Sequence, residues 1–129
     1  RGRRLVRRGL TAGTVGSMGE SMEMAHYQRM AHMTAKYPAE RALEYLVLGL
    51  ASEAGEVAGK LKKAIRDDGG EVGQERRSQL ADEVGDVLWY VAEIATALGT
   101  TLPVVAQRNL DKLSSRDARG VIGGSGDNR

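Results

Sequence analysis

Cysteine is absent from the 129 residues, which excludes disulfides and every cysteine-ligated zinc or iron–sulfur site. Phenylalanine is absent too, prolines number two, and aromatic residues make up 4% of the chain. A β-sandwich of this length draws on more aromatic and turn residues, so the shortage leans the fold towards helix. No apolar run reaches the roughly 18 residues of a membrane span. The apolar stretch of a secretory leader is missing as well, because Arg7 and Arg8 interrupt Leu5, Val6 and Leu10. With neither leader nor cysteine, the expected location is cytoplasmic and no membrane partner is expected. The length is that of one domain.

What is present is a net charge of +2, which taken whole points to an anionic partner. Its distribution changes that reading. Arg1, Arg3, Arg4, Arg7 and Arg8 lie in the first 17 residues with no acid among them, which leaves residues 18–129 at −3. The basicity belongs to an arm, 1–17, that also carries Gly2, Gly9, Gly13 and Gly16 and lacks helical periodicity. Three readings compete for it: a nucleic-acid-binding arm, a targeting peptide, or non-native or upstream-translated sequence ahead of a start at Met18. A disordered arm without essential function is the favoured expectation, and nucleic acid is not the expected partner.

Four helical stretches follow. The first, 20–36, places Met24, Tyr27, Ala31 and Ala35 on one stripe. Pro38 breaks the chain and can open the next helix. The second, 39–66, repeats Leu43, Leu46, Val47, Leu50, Ala54, Val57, Leu61 and Ile65 at helical spacing and ends at Asp67-Asp68-Gly69-Gly70. The third, 75–98, carries Leu80, Val84, Val87, Val91, Ile94 and Leu98, with Gly99 as its stop. Thr100 or Thr101 caps the fourth, 102–114. From Asp117 the chain is too Gly-rich for helix. The expected architecture is an all-α four-helix bundle over 18–116 with a C-terminal tail, 117–129. Its long apolar stripes exceed what one such body covers, so self-association is expected.

The second and third helices echo each other at an offset of 30 residues. Leu50-Ala-Ser-Glu-Ala-Gly-Glu-Val57 lies against Leu80-Ala-Asp-Glu-Val-Gly-Asp-Val87. Apolar spacing alone explains the Leu and Val matches; the matched carboxylates and the matched Gly55 and Gly85 are more specific. A mid-helix glycine costs about 1 kcal/mol relative to alanine. One inside each pair suggests close helix approach or room for a ligand. Residues three apart share a helix face, so Glu53 pairs with Glu56 and Glu83 with Asp86. With Glu53 set at about 0°, Glu56 falls at about 300° and Leu50, Ala54, Val57 and Leu61 between about 40° and 100°. Both pairs therefore border the apolar stripe, and packing the stripes together brings four carboxylates to one edge of the interface.

Four converging anions repel and need a counter-charge. Mg²⁺ takes carboxylates, waters and phosphate oxygens, and Mn²⁺ suits similar sites. A di-iron site in a bundle uses a Glu-x-x-His from each of two helices. The only histidines here, His26 and His32, lie on the first helix, which favours Mg²⁺ or Mn²⁺ over iron. Lys60, at about 340°, and Lys63, at about 280°, fall on the carboxylate side, as phosphate ligands or as helix ion pairs such as Glu56–Lys60.

These residues resemble a known signature. Glu53-x-x-Glu56, a spacer of 26 residues and Glu83-x-x-Asp86 are similar to the motif of the MazG-like, all-α nucleoside triphosphate pyrophosphohydrolases. The flanks Gly49-Leu-Ala-Ser-Glu-Ala-Gly-Glu-Val-Ala-Gly-Lys-Leu-Lys-Lys63 and Asp82-Glu-Val-Gly-Asp-Val-Leu-Trp-Tyr90 add to the resemblance, as does Asn109-Leu-Asp-Lys112-Leu113. The closing Arg119-Gly and Gly-Ser-Gly-Asp-Asn-Arg129 resemble a tail of the phage and bacterial branch. The resemblance implies Mg²⁺-dependent hydrolysis of a (deoxy)nucleoside triphosphate to monophosphate and pyrophosphate, by a dimer or tetramer whose sites are partly shared between chains. It implies metal binding by Glu53, Glu56, Glu83 and Asp86. It gives Lys63, Asn109, Lys112 and Arg116 contacts to phosphate or sugar. Tyr90, at about 340° on the carboxylate side of the wheel, is similar to a substrate-contacting tyrosine of relatives, or else is a half-buried interface residue. Tyr37 occupies a place where relatives stack a base, or else staples the second helix. Gln28 is a base-edge ligand or a surface residue, and Trp89 is packing. Some relatives carry a further Glu just before the first pair; Ser52 stands there in this chain, and Glu53 is the residue preferred as base. The competing functions are phosphoribosyl-ATP pyrophosphohydrolase and a non-catalytic helical oligomer with an Arg-rich nucleic-acid-binding arm.

Overall fold

Four α-helices follow one another in the computed structural model, which describes residues 22–121 and 123. They are α1 (Met24–His32), α2 (Ala42–Asp67), α3 (Gln74–Ala97) and α4 (Leu102–Ala118), with a 3-10 turn, Ala39–Arg41, leading into α2. No strand occurs among the described residues, as the all-α expectation requires. The arm and most of the Gly-rich tail lie outside them. No single helix among them is long and apolar enough to cross a membrane.

Local chemistry sets the boundaries. Gly69 and Gly70, at φ 63° and 87°, take the left-handed conformation that stops α2. Thr101 caps α4 by accepting from the Val104 amide, and Pro103 follows in the first turn. Two boundaries differ from expectation. α1 stops at His32, short of Lys36: the Thr34 hydroxyl donates to the Ala31 carbonyl, and the chain turns away towards Tyr37 and Pro38. α4 runs to Ala118, beyond Ser114, and ends at Gly120, φ 66°.

α3 is the central element. One side of it meets α1 and the start of α4 in a core of Ala31, Ala92, Ala95 and Leu102, flanked by Tyr27, Trp89 and Val91. Alanine at three of the four core positions lets the helix backbones approach closely. Gln28 locks this end. Its amide donates to Thr96 Oγ1 (2.9 Å) and the Thr100 carbonyl (3.0 Å), and its carbonyl accepts from the Leu102 amide (2.7 Å). Gln28 is thus buried, with its side-chain amide engaged by Thr96, Thr100 and Leu102, and is not a surface residue.

The other side of α3 packs antiparallel against α2. The seam does not run where the apolar stripe predicts. Leu46 and Ala64 are fully buried, and Leu50, Glu53, Val57 and Lys60 are half-buried between them. On the helical wheel these centre near about 20°, so Glu53 stands inside the contact instead of at its border. Leu43, Val47, Leu61 and Ile65, at about 80° to 120° on the same wheel, remain 44–65% exposed. Among the described residues α2 packs on α3 and on the 3-10 turn, with neither α1 nor α4 against it. One apolar flank of α2 is therefore left uncovered by the described residues. Gly55 and Gly85 do not mark the close approach: a Cβ at either meets nothing within 4 Å among the described residues. Gly49 does, because a Cβ there would fall onto the Tyr90 ring.

Candidate metal centre

The antiparallel seam sets the first carboxylate pair beside the second. Ligand oxygens of Glu53, Glu83 and Asp86 lie within 4.8 Å of one another. Glu53 and Glu83 are half-buried and Asp86 is exposed. Glu56, the fourth expected member, is exposed and outside this group. Three hard oxygen donors at such spacing fit an oxygen-loving divalent cation, and among the described residues no histidine or cysteine joins them.

Lys60 is part of the same cluster. Its Nζ lies 2.9 Å from Glu83 Oε1, with the two side chains only 26% and 17% exposed. The expected i,i+4 pair with Glu56 gives way to this bridge between helices, because Lys60 faces the seam. One cation thus offsets part of the charge of three carboxylates.

Tyrosine hydroxyls border the cluster. The Tyr90 ring lies over Gly49, and its hydroxyl approaches that of Tyr45. Burial pushes the Tyr90 pKa up, followed by Tyr45 and the charges of Glu53 and Asp86. Tyr90 is therefore beside the carboxylates, where the sequence wheel placed it. Tyr27, on α1, is near enough to feel the charge of Asp86. Its pKa is also raised, first by burial and then by Asp86. Periodicity marked Tyr27 only as a core residue, since the crossing of α1 over α3 decides where its hydroxyl ends.

The remaining candidates are spread more widely. Lys63 is exposed on α2, where its charge is felt by Asp67. Asn109 and Lys112 are exposed on α4 and Arg116 is buried there; no hydrogen bond or ion pair links Asn109 or Lys112 to the carboxylates. Ser52 is exposed. Trp89 packs as expected, donating from Nε1 to Thr34 Oγ1 (2.8 Å) and meeting Tyr90 edge-on at 5.0 Å. Tyr37 stacks on Tyr45 at 5.8 Å and donates to Glu93 Oε2 (2.7 Å), so it braces the start of α2.

Glu93 was missed by the sequence reading. It is fully buried; His32 Nδ1 lies 3.0 Å from its Oε2, and its Oε1 has no hydrogen-bond partner among the described residues. The available signal was a lone acid between Val91-Ala92 and Ile94-Ala95, in an otherwise apolar stretch.

Comparison with known proteins bears on the same segment. The MazG nucleotide pyrophosphohydrolase domain matches residues 41–121, which include all four motif carboxylates. The chain is similar to the Gene 37 protein of Mycobacterium phage L5, at 50% identity over 114 residues, covering 84% of this chain and 100% of that protein. No solved structure matches. The domain match spans more than half of the sequence, and three of the four carboxylates it contains converge in the fold: the chain belongs to the MazG nucleotide pyrophosphohydrolase family.

Proposed function

We propose that the protein is a Mg²⁺-dependent hydrolase that cleaves a (deoxy)nucleoside triphosphate into the monophosphate and pyrophosphate. The observation that carries this reading is the convergence of Glu53, Glu83 and Asp86 within 4.8 Å, inside the segment that matches the family. Glu53, Glu83 and Asp86 would hold the metal, with Glu56 completing the set from the next turn of α2. When bound, Mg²⁺ supplies positive charge to the triphosphate and polarises the attacked phosphorus; Mn²⁺ can replace it.

The chain's own residues do the rest. Glu53, half-buried in the seam, accepts the proton of the attacking water, a role left to it because Ser52 offers no carboxylate. Lys60, already at the cluster, can turn from Glu83 to a phosphate oxygen. Lys63, Asn109, Lys112 and Arg116 supply further phosphate or sugar contacts, and the Tyr90 hydroxyl a substrate contact. Most of the rate enhancement comes from positioning and charge stabilisation. Tyr37 and Gln28 belong to the scaffold in this reading. The exposed flank of α2 supports a dimer or tetramer, since fully burying a Leu or Ile side chain contributes about 1.5–3 kcal/mol.

The test is a panel of nucleoside and deoxynucleoside triphosphates, with and without Mg²⁺, read by pyrophosphate release. Mg²⁺-dependent release from at least one nucleotide is expected, with Glu53→Gln and Asp86→Asn at least 100-fold slower (on the order of 3 kcal/mol in the barrier). No release from any nucleotide would refute the activity. Full rate in both variants would refute the site.

A further inference from the structure

With four tyrosines, one tryptophan and no phenylalanine, every aromatic ring in this chain carries a polar group. Three of the tyrosines form a continuous path. It begins at Glu93, which is fully buried on α3 and holds the Tyr37 hydroxyl at 2.7 Å. The Tyr37 ring stacks on Tyr45, with centroids 5.8 Å apart and planes at 26°. The Tyr45 hydroxyl approaches that of Tyr90. The Tyr90 ring is pressed onto α2 where Gly49 lacks a Cβ, and its hydroxyl lies in the field of Glu53 and Asp86.

We propose that Glu93, Tyr37 and Tyr45 form a positioning relay that fixes the Tyr90 hydroxyl against the carboxylate cluster. This rests on the metal-site reading above and assigns roles to three residues outside the family motif.

The physical case has three parts. Glu93 is a poor choice for simple space filling, because a buried oxygen without a partner, such as its Oε1, costs about 1–3 kcal/mol. Its Oε2 gathers His32 of α1 and Tyr37 of the linker, so it pins the segment between α1 and α2 to α3. Tyr37 stacked on Tyr45 then limits where the Tyr45 ring can go, and Tyr90 has Tyr45 on one side and the α2 backbone on the other. A group bordering a charged site acts well only when its own rotamer is locked by such neighbours. None of the relay residues needs to touch substrate.

Selective ¹³C labelling of tyrosine rings gives four signals, which can be followed in metal-free protein. Tyr37→Phe keeps the ring and the stack but loses the bond to Glu93. The relay requires it to shift or split the signals of Tyr45 and Tyr90. The second measurement is Mn²⁺ affinity, read from the electron paramagnetic resonance of free Mn²⁺, for Tyr37→Phe, Tyr90→Phe and the double variant. Circular dichroism confirms that each is folded. Each single variant is expected to bind Mn²⁺ about 3–10-fold more weakly, the worth of one hydrogen bond. The double variant should be no weaker than Tyr90→Phe, because both changes act through the same hydroxyl. An unmoved Tyr90 signal overturns the relay. So does Mn²⁺ affinity unchanged in either single variant, or effects that add in the double. Failure of the nucleotide reading would show separately, as wild-type protein that releases no pyrophosphate, while spectra and Mn²⁺ affinity still judge the relay.

Discussion

Lys60→Met is the most informative single change, because it removes one charge and keeps most of the stem. Lys60 Nζ and Glu83 Oε1 are 2.9 Å apart, in side chains 26% and 17% exposed. At an effective dielectric constant of about 20, their attraction is about 6 kcal/mol before desolvation is subtracted. Removing one partner of a fully buried pair costs about 3–5 kcal/mol, and an exposed pair contributes about 0–1. This pair stands between those limits, so a loss of about 2 kcal/mol is expected in the absence of metal, or about 10 °C in Tm for a domain of this size. The same change exposes the mutual repulsion of Glu53, Glu83 and Asp86, about 3 kcal/mol per pair at 4.8 Å with the same dielectric constant. A divalent cation then has more repulsion to relieve. Thermal unfolding against Mg²⁺ concentration should show the variant gaining about 1–2 kcal/mol more than the wild type, equivalent to roughly tenfold tighter binding. An unchanged Tm without metal, or an equal Mg²⁺-induced rise in both proteins, would refute the view of Lys60 as the cluster's internal counter-ion.

Two further outcomes follow from the packing and the tyrosines. Gly49→Ala should lose about 1–3 kcal/mol, since its Cβ falls onto the Tyr90 ring. Gly55→Ala should gain up to about 1 kcal/mol, because nothing lies within 4 Å of its Cβ and alanine is the better helix former; equal effects in urea unfolding would contradict the placement of the seam. Burial, then the hydrogen bond to Glu93, pushes the Tyr37 pKa from 10.0 up to about 12. The folded state thus keeps its proton where the unfolded state has lost it. The stability this gives is complete below pH 10 and falls away as pH rises to about 12. Urea unfolding at pH 9 and 11 should show a smaller drop for Tyr37→Phe than for the wild type, and an equal drop would argue against that environment.

Much of the fold was legible because helices are local objects. Apolar recurrence, Gly69-Gly70, Gly99 and Thr101 marked four helices, with the ends of α1 and α4 each misplaced by four residues. At α1 the hydroxyl of Thr34 and the pull of Tyr37 towards Glu93 ended the helix early, and neither contact has a periodic signature. The carboxylates were legible because three-residue spacing on two matched helices restricts where they can point. Which of them converge was not. Gln28 shows the same limit: an amide on a helix reads as surface, and only the arrival of Thr96, Thr100 and Leu102 makes it buried.

The sequence by itself determined the all-α class, the two carboxylate pairs and the membership that their spacing and flanks signal. These depend on chemistry within one turn or one helix. Tertiary structure alone decided the rotation of α2 against α3. With Gly49 yielding to Tyr90, the seam turned some tens of degrees away from the apolar stripe. That rotation drew Glu53, Glu83, Asp86 and Lys60 together and left Glu56 outside them. It also left Leu43, Val47, Leu61 and Ile65 exposed on the outer flank of α2. A helical wheel gives the angle of each residue about its own axis, but the angle between two helices is set by how their side chains interlock.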